Sequence, residues 1–238
     1  MSAIPETGAL ARTVYVPFWK HPVLTGVPMA AAAAYACLVV TGTVNAVNLT
    51  DGLDGLAVGC TMPVAGTYWV MAYVAGHAAL AKYLLVPSVP GAGEVAVFAG
   101  CLMGACLGFL WWNGYPAKVF MGDTGSLALG GAIAMTAVLT KQELTLPIAG
   151  SLFVAEAVSV MIQCGACKVY RWRTGRELVQ GKRPLRMTPL HHHFEVIAKE
   201  RARADGLGEA SAENRVAVRF WIAAIVAALL GLATLKLR

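Results

Sequence analysis

Charged residues punctuate this chain at wide intervals and leave long apolar stretches between them. No Asp, Glu, Lys or Arg occurs in 21–50, 55–81, 95–117, 124–140 or 220–235, and 144–167 is interrupted only by Glu156. Runs of this length match the roughly 20 residues that a helix needs to cross a bilayer. They are continuously apolar and lack the alternation of a barrel strand, so helices are expected. Six spans follow, near 24–45, 57–77, 94–112, 125–140, 145–167 and 216–236. The expected fold is all-α, a polytopic transmembrane helix bundle forming one membrane domain over 1–238. Small-residue clusters at Ala30–Ala34, at Gly100 and Gly104, and at Gly130 and Gly131 suit close helix packing in lipid. Trp111, Trp112 and Trp221 fall at span ends, where an indole ring favours the interface.

Composition agrees with the pattern. Of the 238 residues 58% are hydrophobic and 13% charged, against about 25% charged in a soluble domain. A soluble enzyme and a disordered chain are both excluded on that ground. The net charge of +6 is concentrated: 168–219 holds 12 of the 19 Lys and Arg but 6 of the 13 Asp and Glu. Acids interrupt this cluster and membrane-like runs flank it, which argues against nucleic acid as a partner. It reads instead as a cytoplasmic basic loop, 168–215. The loops at 46–56 and 113–124 then also face the cytoplasm, while 78–93, 141–144 and both termini face outward. The six cysteines sit mostly in apolar runs and form no secreted disulfide framework. No signal peptide opens the chain.

The two short cytoplasmic loops are unlike their flanks. The first places Asn45, Asn48, Asp51 and Asp54 at steps of three, one face of a helical turn, with Gly52 and Gly55 allowing close backbone approach. Turn chemistry or helix capping by Thr50 or Asp51 explains one Asp-Gly pair, but four polar groups among membrane spans are costly for a connector. In the second, Asp123 precedes an apolar helix among small residues. Besides capping, it suits a hard cation, with a helix N-terminus nearby for phosphate. Mg²⁺ takes one or two protein carboxylates and shares the rest with phosphates and water; Asp51, Asp54 and Asp123 meet that need. Lys118 reads equally as a phosphate contact or as a snorkelling interface lysine. The basic loop carries His191, His192 and His193. With Cys164 and Cys167 they invite a zinc reading, but the spacing matches no structural finger. Hydrogen bonding to diphosphate or sugar oxygens suits adjacent histidines better. Glu156 lies inside a span and its role is open.

The stretches NAVNLTDGLDGLA, NGYPAKVFMGDTGS and MTPLHHHFE resemble, in order, three signature blocks of the polyprenyl-phosphate N-acetylhexosamine-1-phosphate transferases. The last block points to the branch that handles phospho-N-acetylmuramoyl-pentapeptide, and the resemblance covers essentially the whole chain. It implies transfer of phospho-MurNAc-pentapeptide from UDP-MurNAc-pentapeptide to undecaprenyl phosphate at the cytoplasmic face of the bacterial inner membrane. The products are UMP and lipid I, a peptidoglycan precursor, and Mg²⁺ is the cofactor. By position Asp123 resembles the metal ligand. Leu49, Asp51, Gly52, Asp54, Asn113 and Phe120 resemble nucleoside-binding and site-lining positions, with Phe120 stacking on uracil. Asn48 resembles a further polar site residue, and Gly122 and Lys118 belong to the same substrate-binding block. The expected catalytic set is Asp51, Asp54, Asp123, His191, His192 and His193. The YVPFWK segment resembles a periplasmic hairpin.

The same resemblance implies about four further N-terminal helices that bear an adjacent aspartate pair and a lysine near the nucleotide. The chain has no Asp-Asp, so it matches the C-terminal part of the fold, and its partner is the missing portion or, as the family allows, a second copy in a homodimer. Other readings are a UDP-GlcNAc-type transferase, against which MTPLHHHFE argues, an inactive fragment, and a transporter. A transporter would place Asp51, Asp54 and Asp123 near the bilayer midplane, whereas the transferase would gather them at the cytoplasmic interface.

Overall fold

A computed structural model describes residues 5–179, 183–206 and 210–237. Ten α-helices follow one another, with one 3-10 turn: α1 (Pro5–Ala11), α2 (Met29–Thr50), α3 (Leu56–Gly76), α4 (Ala78–Leu84), α5 (Ala92–Asn113), α6 (Gly122–Leu139), the 3-10 turn Glu143–Thr145, α7 (Leu146–Ala149), α8 (Ser151–Thr174), α9 (Leu190–Ala204) and α10 (Ala210–Ala233). Among the described residues the one β-type pairing is an isolated antiparallel bridge, Val14 to Leu24. It closes the hairpin expected around YVPFWK. The Arg12 guanidinium donates to Val27 O at 2.7 Å and Gly26 O at 3.1 Å and pins that hairpin to the start of α2.

Helices α2, α5, α6, α8 and the 212–233 part of α10 are long and apolar enough to cross a membrane. The sixth expected span is α3, as long as its neighbours at 21 residues. It differs because it is the buried centre of the bundle. It packs on α5, α10 and α6, and most of its residues are shielded, including the polar Thr61, Thr67 and Tyr68. A helix surrounded by protein need not be as apolar as one facing lipid. Two of its polar groups find partners: Thr67 Oγ donates to Ala228 O at 3.1 Å, and Tyr68 Oη to Gln142 O at 3.0 Å; the buried Thr61 Oγ has none among the described residues.

Small residues set the closest approaches, though not all the expected ones do. A Cβ on Gly130 would lie 2.7 Å from Val44 Cα, so α6 and α2 pack backbone to backbone there. Ala30, Ala31, Ala33 and Ala34 are exposed, and Gly104 meets nothing within 4 Å. Trp221 is also no interface anchor. Its ring fills the hollow at Gly59, where a Cβ would lie 2.2 Å from Nε1, and that nitrogen donates to Gly55 O at 3.1 Å. Trp111 and Trp112 remain exposed at the end of α5.

Three further expectations need correction. The span at 145–167 is broken: the short α7, with Pro147 in its first turn, ends at Gly150, and α8 starts afresh at Ser151. The segment 141–144 is not a simple outward loop, since Lys141, Gln142 and Glu143 are buried and a 2.7 Å ion pair joins Lys141 to Glu143. Burial pushes the Glu143 carboxyl up, and Lys141 offsets this only in part. The basic loop is largely helical: α8 runs on to Thr174, α9 spans 190–204, and α10 begins at 210.

Candidate active site at the converging helix ends

Four helix ends meet on one side of the bundle. They are the C-termini of α2 and α5 and the N-termini of α6 and α9. The chain leaves α2 at Asp51 and enters α3 through Gly55, whose φ of 71° a residue with a side chain adopts only under strain. Asn48, in the last turn of α2, donates through Nδ2 to Asp123 Oδ1 at 3.1 Å and to Ser126 Oγ at 2.9 Å. This pair of bonds fixes the end of α2 against the first turn of α6. Asp51 is half-buried beside them. Burial, then the charge of Asp123, raises its pKa above the usual carboxylate range, and His191 counteracts this.

The histidines approach the same turn from α9. His191 is 1% exposed, and a Cβ on Gly52 would lie 2.2 Å from its Nε2 and 3.2 Å from His192 Nε2. Only glycine at 52 admits both rings. The rings of His191 and His192 lie 4.2 Å apart at 52°. Behind them the fully buried Glu156, in the second turn of α8, accepts from the His191 backbone N–H at 3.1 and 3.3 Å. A carboxylate at a helix N-terminus satisfies an orphan donor and faces the positive end of the helix dipole. Its Oε2 is also 3.2 Å from His191 Nδ1, but off the line of a hydrogen bond, and both ring nitrogens of His191 lack a bonded partner.

His192 and His193 are held differently. His192 Nδ1 is 2.6 Å from Glu195 Oε2, and Lys199 bridges Glu195 to Glu213 of α10, each at 2.6 Å. Burial opposes ionisation of Glu195, yet hydrogen bonds from Lys199 and His192 outweigh it and hold the carboxyl below its usual range. Hydrogen bonds to Glu195 and Glu213 raise the Lys199 ammonium. His193 Nδ1 accepts from the Arg186 N–H at 3.2 Å. The Gln163 carbonyl accepts from Leu185 N–H at 3.0 Å and ties the approach to α9 back to α8.

Not every expected site residue presents free chemistry. Asp54 turns one oxygen to the Ala117 N–H at 2.9 Å. Asn113 is buried; its Oδ1 accepts from Gly55 N–H at 3.1 Å, and its Nδ2 donates to Val119 O at 2.8 Å. Both brace the loop after α5 against the turn before α3. Lys118 lies over the Trp112 ring, 5.6 Å from its centroid, which favours its interface reading. Phe120 is 75% exposed, with a face open to stacking. Leu49 is half-buried, and Gly122 starts α6 with φ 64°. Asn45, counted with Asn48 in the step-of-three pattern, instead donates to Thr41 O and lies outside the cluster. Ser126, Gln163, Glu195 and Lys199 were missed. Only the position of Ser126, three after Asp123, hinted at its place on the same face.

The donor set fits a hard divalent cation. The charge of Asp123 adds to the burial that raises the Asp51 carboxyl, a penalty such a cation would relieve. Among the described residues no group of three His, Cys, Asp or Glu assembles. The carboxylates lie at helix ends rather than mid-helix, contrary to the transporter expectation.

Residues 7–141 match the family described as glycosyl transferase family 4. The chain belongs to that family. It is 47% identical over 234 residues to a phospho-N-acetylmuramoyl-pentapeptide-transferase from Opitutus terrae, covering 98% of this chain and 59% of that protein. Enzymes of the same name from Geobacter sp. (strain M21) and Solidesulfovibrio magneticus are 50% and 52% identical, each over 94% of this chain and 56% of theirs. The chain thus spans under three fifths of the length of these relatives. The family match runs through the Asp51 and Asp123 turns and stops before α8 and α9. The histidine side of the site therefore lies beyond it, within the stretch shared with the transferases.

Proposed function

We propose that this chain carries the donor-side active site of a phospho-MurNAc-pentapeptide transferase, which moves that group from UDP-MurNAc-pentapeptide to undecaprenyl phosphate and releases UMP. The observation that carries the reading is the meeting of three separate sequence blocks, through Asn48, Asp51, Asp123 and His191, at one cluster of helix ends. The names of the similar proteins support the choice of substrates. The positive-inside rule supports a site on the cytoplasmic side of the membrane.

The roles follow from the geometry. Asp123, with Asp51 beside it, would hold Mg²⁺, which supplies charge neutralisation for a diphosphate when bound. Asn48 orients Asp123 through one hydrogen bond while Ser126 holds the amide from the other side. Asp54 and Asn113 position the loop that carries Phe120, and the exposed ring offers a stacking surface for a pyrimidine base. His191 packs its ring against Gly52 beside Asp51 and would add to the preorganised dipoles that stabilise charge on a transferring phosphoryl group. Glu156 holds the histidine helix at the depth where this is feasible.

The test uses the 238-residue chain in detergent with UDP-MurNAc-pentapeptide. Mg²⁺-dependent binding is expected, measured by calorimetry, together with UMP release when undecaprenyl phosphate is added. Asp123→Asn should abolish the Mg²⁺ dependence of binding. Equal binding by Asp123→Asn, or stronger binding of UDP-GlcNAc than of the pentapeptide nucleotide, overturns the proposal.

A further inference from the structure

A second cavity lies on the opposite flank of α9, facing α10. It encloses about 660 Å³, within the range of small-ligand pockets. Its floor is apolar, formed by Phe194 and Ile197 of α9 and by Val216 and Phe220 of α10. Its rim is cationic, with Arg201 from the last turns of α9, and Arg215 and Arg219, one helical turn apart on α10. Asp205 is the one carboxylate lining it. Arg201 and Arg219 against that carboxylate leave a positive mouth over a hydrophobic base.

The setting adds a second constraint. The stretch Ala212–Ala233 is apolar enough to cross a membrane, so Arg215 and Arg219 sit at the edge of the hydrocarbon. Helix α9 is amphipathic: Leu190, Phe194, Ile197 and Ala198 share one face, and Glu195, Lys199 and Glu200 lie off it. Such a helix rests at the interface, apolar side inward. A ligand that matches this cleft must itself be apolar below and anionic above, and it must reach the site from the bilayer.

We propose that the α9–α10 cleft binds an anionic glycerophospholipid of the surrounding leaflet, its phosphate between Arg201 and Arg219 and its acyl chains over Phe194 and Phe220. The site is separate from the Asp51–Asp123 cluster and does not depend on the transferase reading. Its occupant bears on that cluster all the same. Phe194 directly follows the histidine triplet, with its ring 5.6 Å from His193 and 5.9 Å from Phe220. A bound lipid would brace the histidine helix against α10 beside the Glu195–Lys199–Glu213 chain of charges.

The full chain is reconstituted in phosphatidylcholine with or without phosphatidylglycerol, and lipid retention is read by native mass spectrometry. Each basic group near an anionic surface contributes about fivefold to binding, so Arg201→Gln/Arg219→Gln should retain roughly thirtyfold less phosphatidylglycerol. Arg201→Lys/Arg219→Lys should retain most of it. Photoreactive phosphatidylglycerol added to the unaltered chain should label peptides from 190–204 and 212–223, a readout independent of how the variants fold. Soluble glycerol phosphate should not compete. Equal retention of the zwitterionic lipid, labelling confined to other helices, or displacement by glycerol phosphate would each overturn the proposal.

Discussion

Replacing Glu156 with alanine removes a buried side chain that receives the N-terminus of α9 inside the bundle. The His191 N–H loses its acceptor at 3.1 Å and stays buried, because His191 itself is shut away from water. An orphaned buried donor costs about 1–3 kcal/mol. Loss of a negative charge at a helix N-terminus adds about 0.3–1 kcal/mol. Relief of the buried carboxylate's own desolvation acts the other way. The net expectation is a destabilisation of about 2–3 kcal/mol for Glu156→Ala. Glu156→Gln keeps an acceptor oxygen in place and gives up only the charge, so it should cost about 1 kcal/mol.

Equilibrium unfolding in mixed micelles, followed by tryptophan emission and far-UV circular dichroism, measures the stability difference. Nucleotide binding measures the consequence at the site. Because the histidines reach Gly52 only while α9 is seated, affinity should fall in the same order, Ala below Gln below parent. The reasoning fails if Glu156→Ala lies within about 0.5 kcal/mol of the parent, the size of an ordinary surface change. It also fails if Gln is as costly as Ala, since the hydrogen bond would then contribute nothing beyond the charge.

Gly52→Ala puts a methyl group onto the His191 ring, and over-packing of this kind costs about 1–3 kcal/mol. Pairing it with His191→Ala should recover much of the lost stability in a double-mutant cycle. Glu195 has a folded pKa below its unfolded value, so its contribution is complete above the usual carboxylate range near 4.5 and decays as pH falls through the depressed value. A pH series of unfolding midpoints should show this acid-side loss, and Glu195→Gln should remove it. Trp221→Phe deletes the hydrogen bond to Gly55 O and should cost about 1 kcal/mol in the same unfolding assay.

The spans were legible because lipid imposes a strict rule on sequence: long apolar runs have no other comfortable place. The exceptions share a cause. Helix α3 is screened by its neighbours, which supply acceptors for Thr67 and Tyr68, and its apolar run gives no sign that it is the centre. The break before α8 falls at Gly150, and the apolar stretch on both sides masks it. Trp221 matched the profile of an interface anchor, because an indole at a helix end looks the same whether it meets headgroups or a glycine hollow on another helix.

The site divides along the same physical line. Asp51, Asp123 and the histidines were readable because charged and polar groups beside membrane spans need a reason to be there. Their supports were not, because each support is a long-range partner that local spacing does not encode. Asn48 meets Asp123 from 75 residues away, Asp54 meets Ala117 from 63, and Glu156 meets His191 from 35. Those bonds also change what the residues do. Asp54 and Asn113 resemble site-lining positions in sequence, yet their polar atoms are engaged by the backbone of a neighbouring turn. The chemistry left to the site is that of Asp51 and Asp123, with His191 packed beside them against Gly52. Substitution of Asp54 or Asn113 should therefore act by displacing the loop that carries Phe120, weakening nucleotide affinity while leaving the Mg²⁺ dependence of binding intact. Loss of that dependence in Asp54→Asn would place Asp54 with the metal ligands instead.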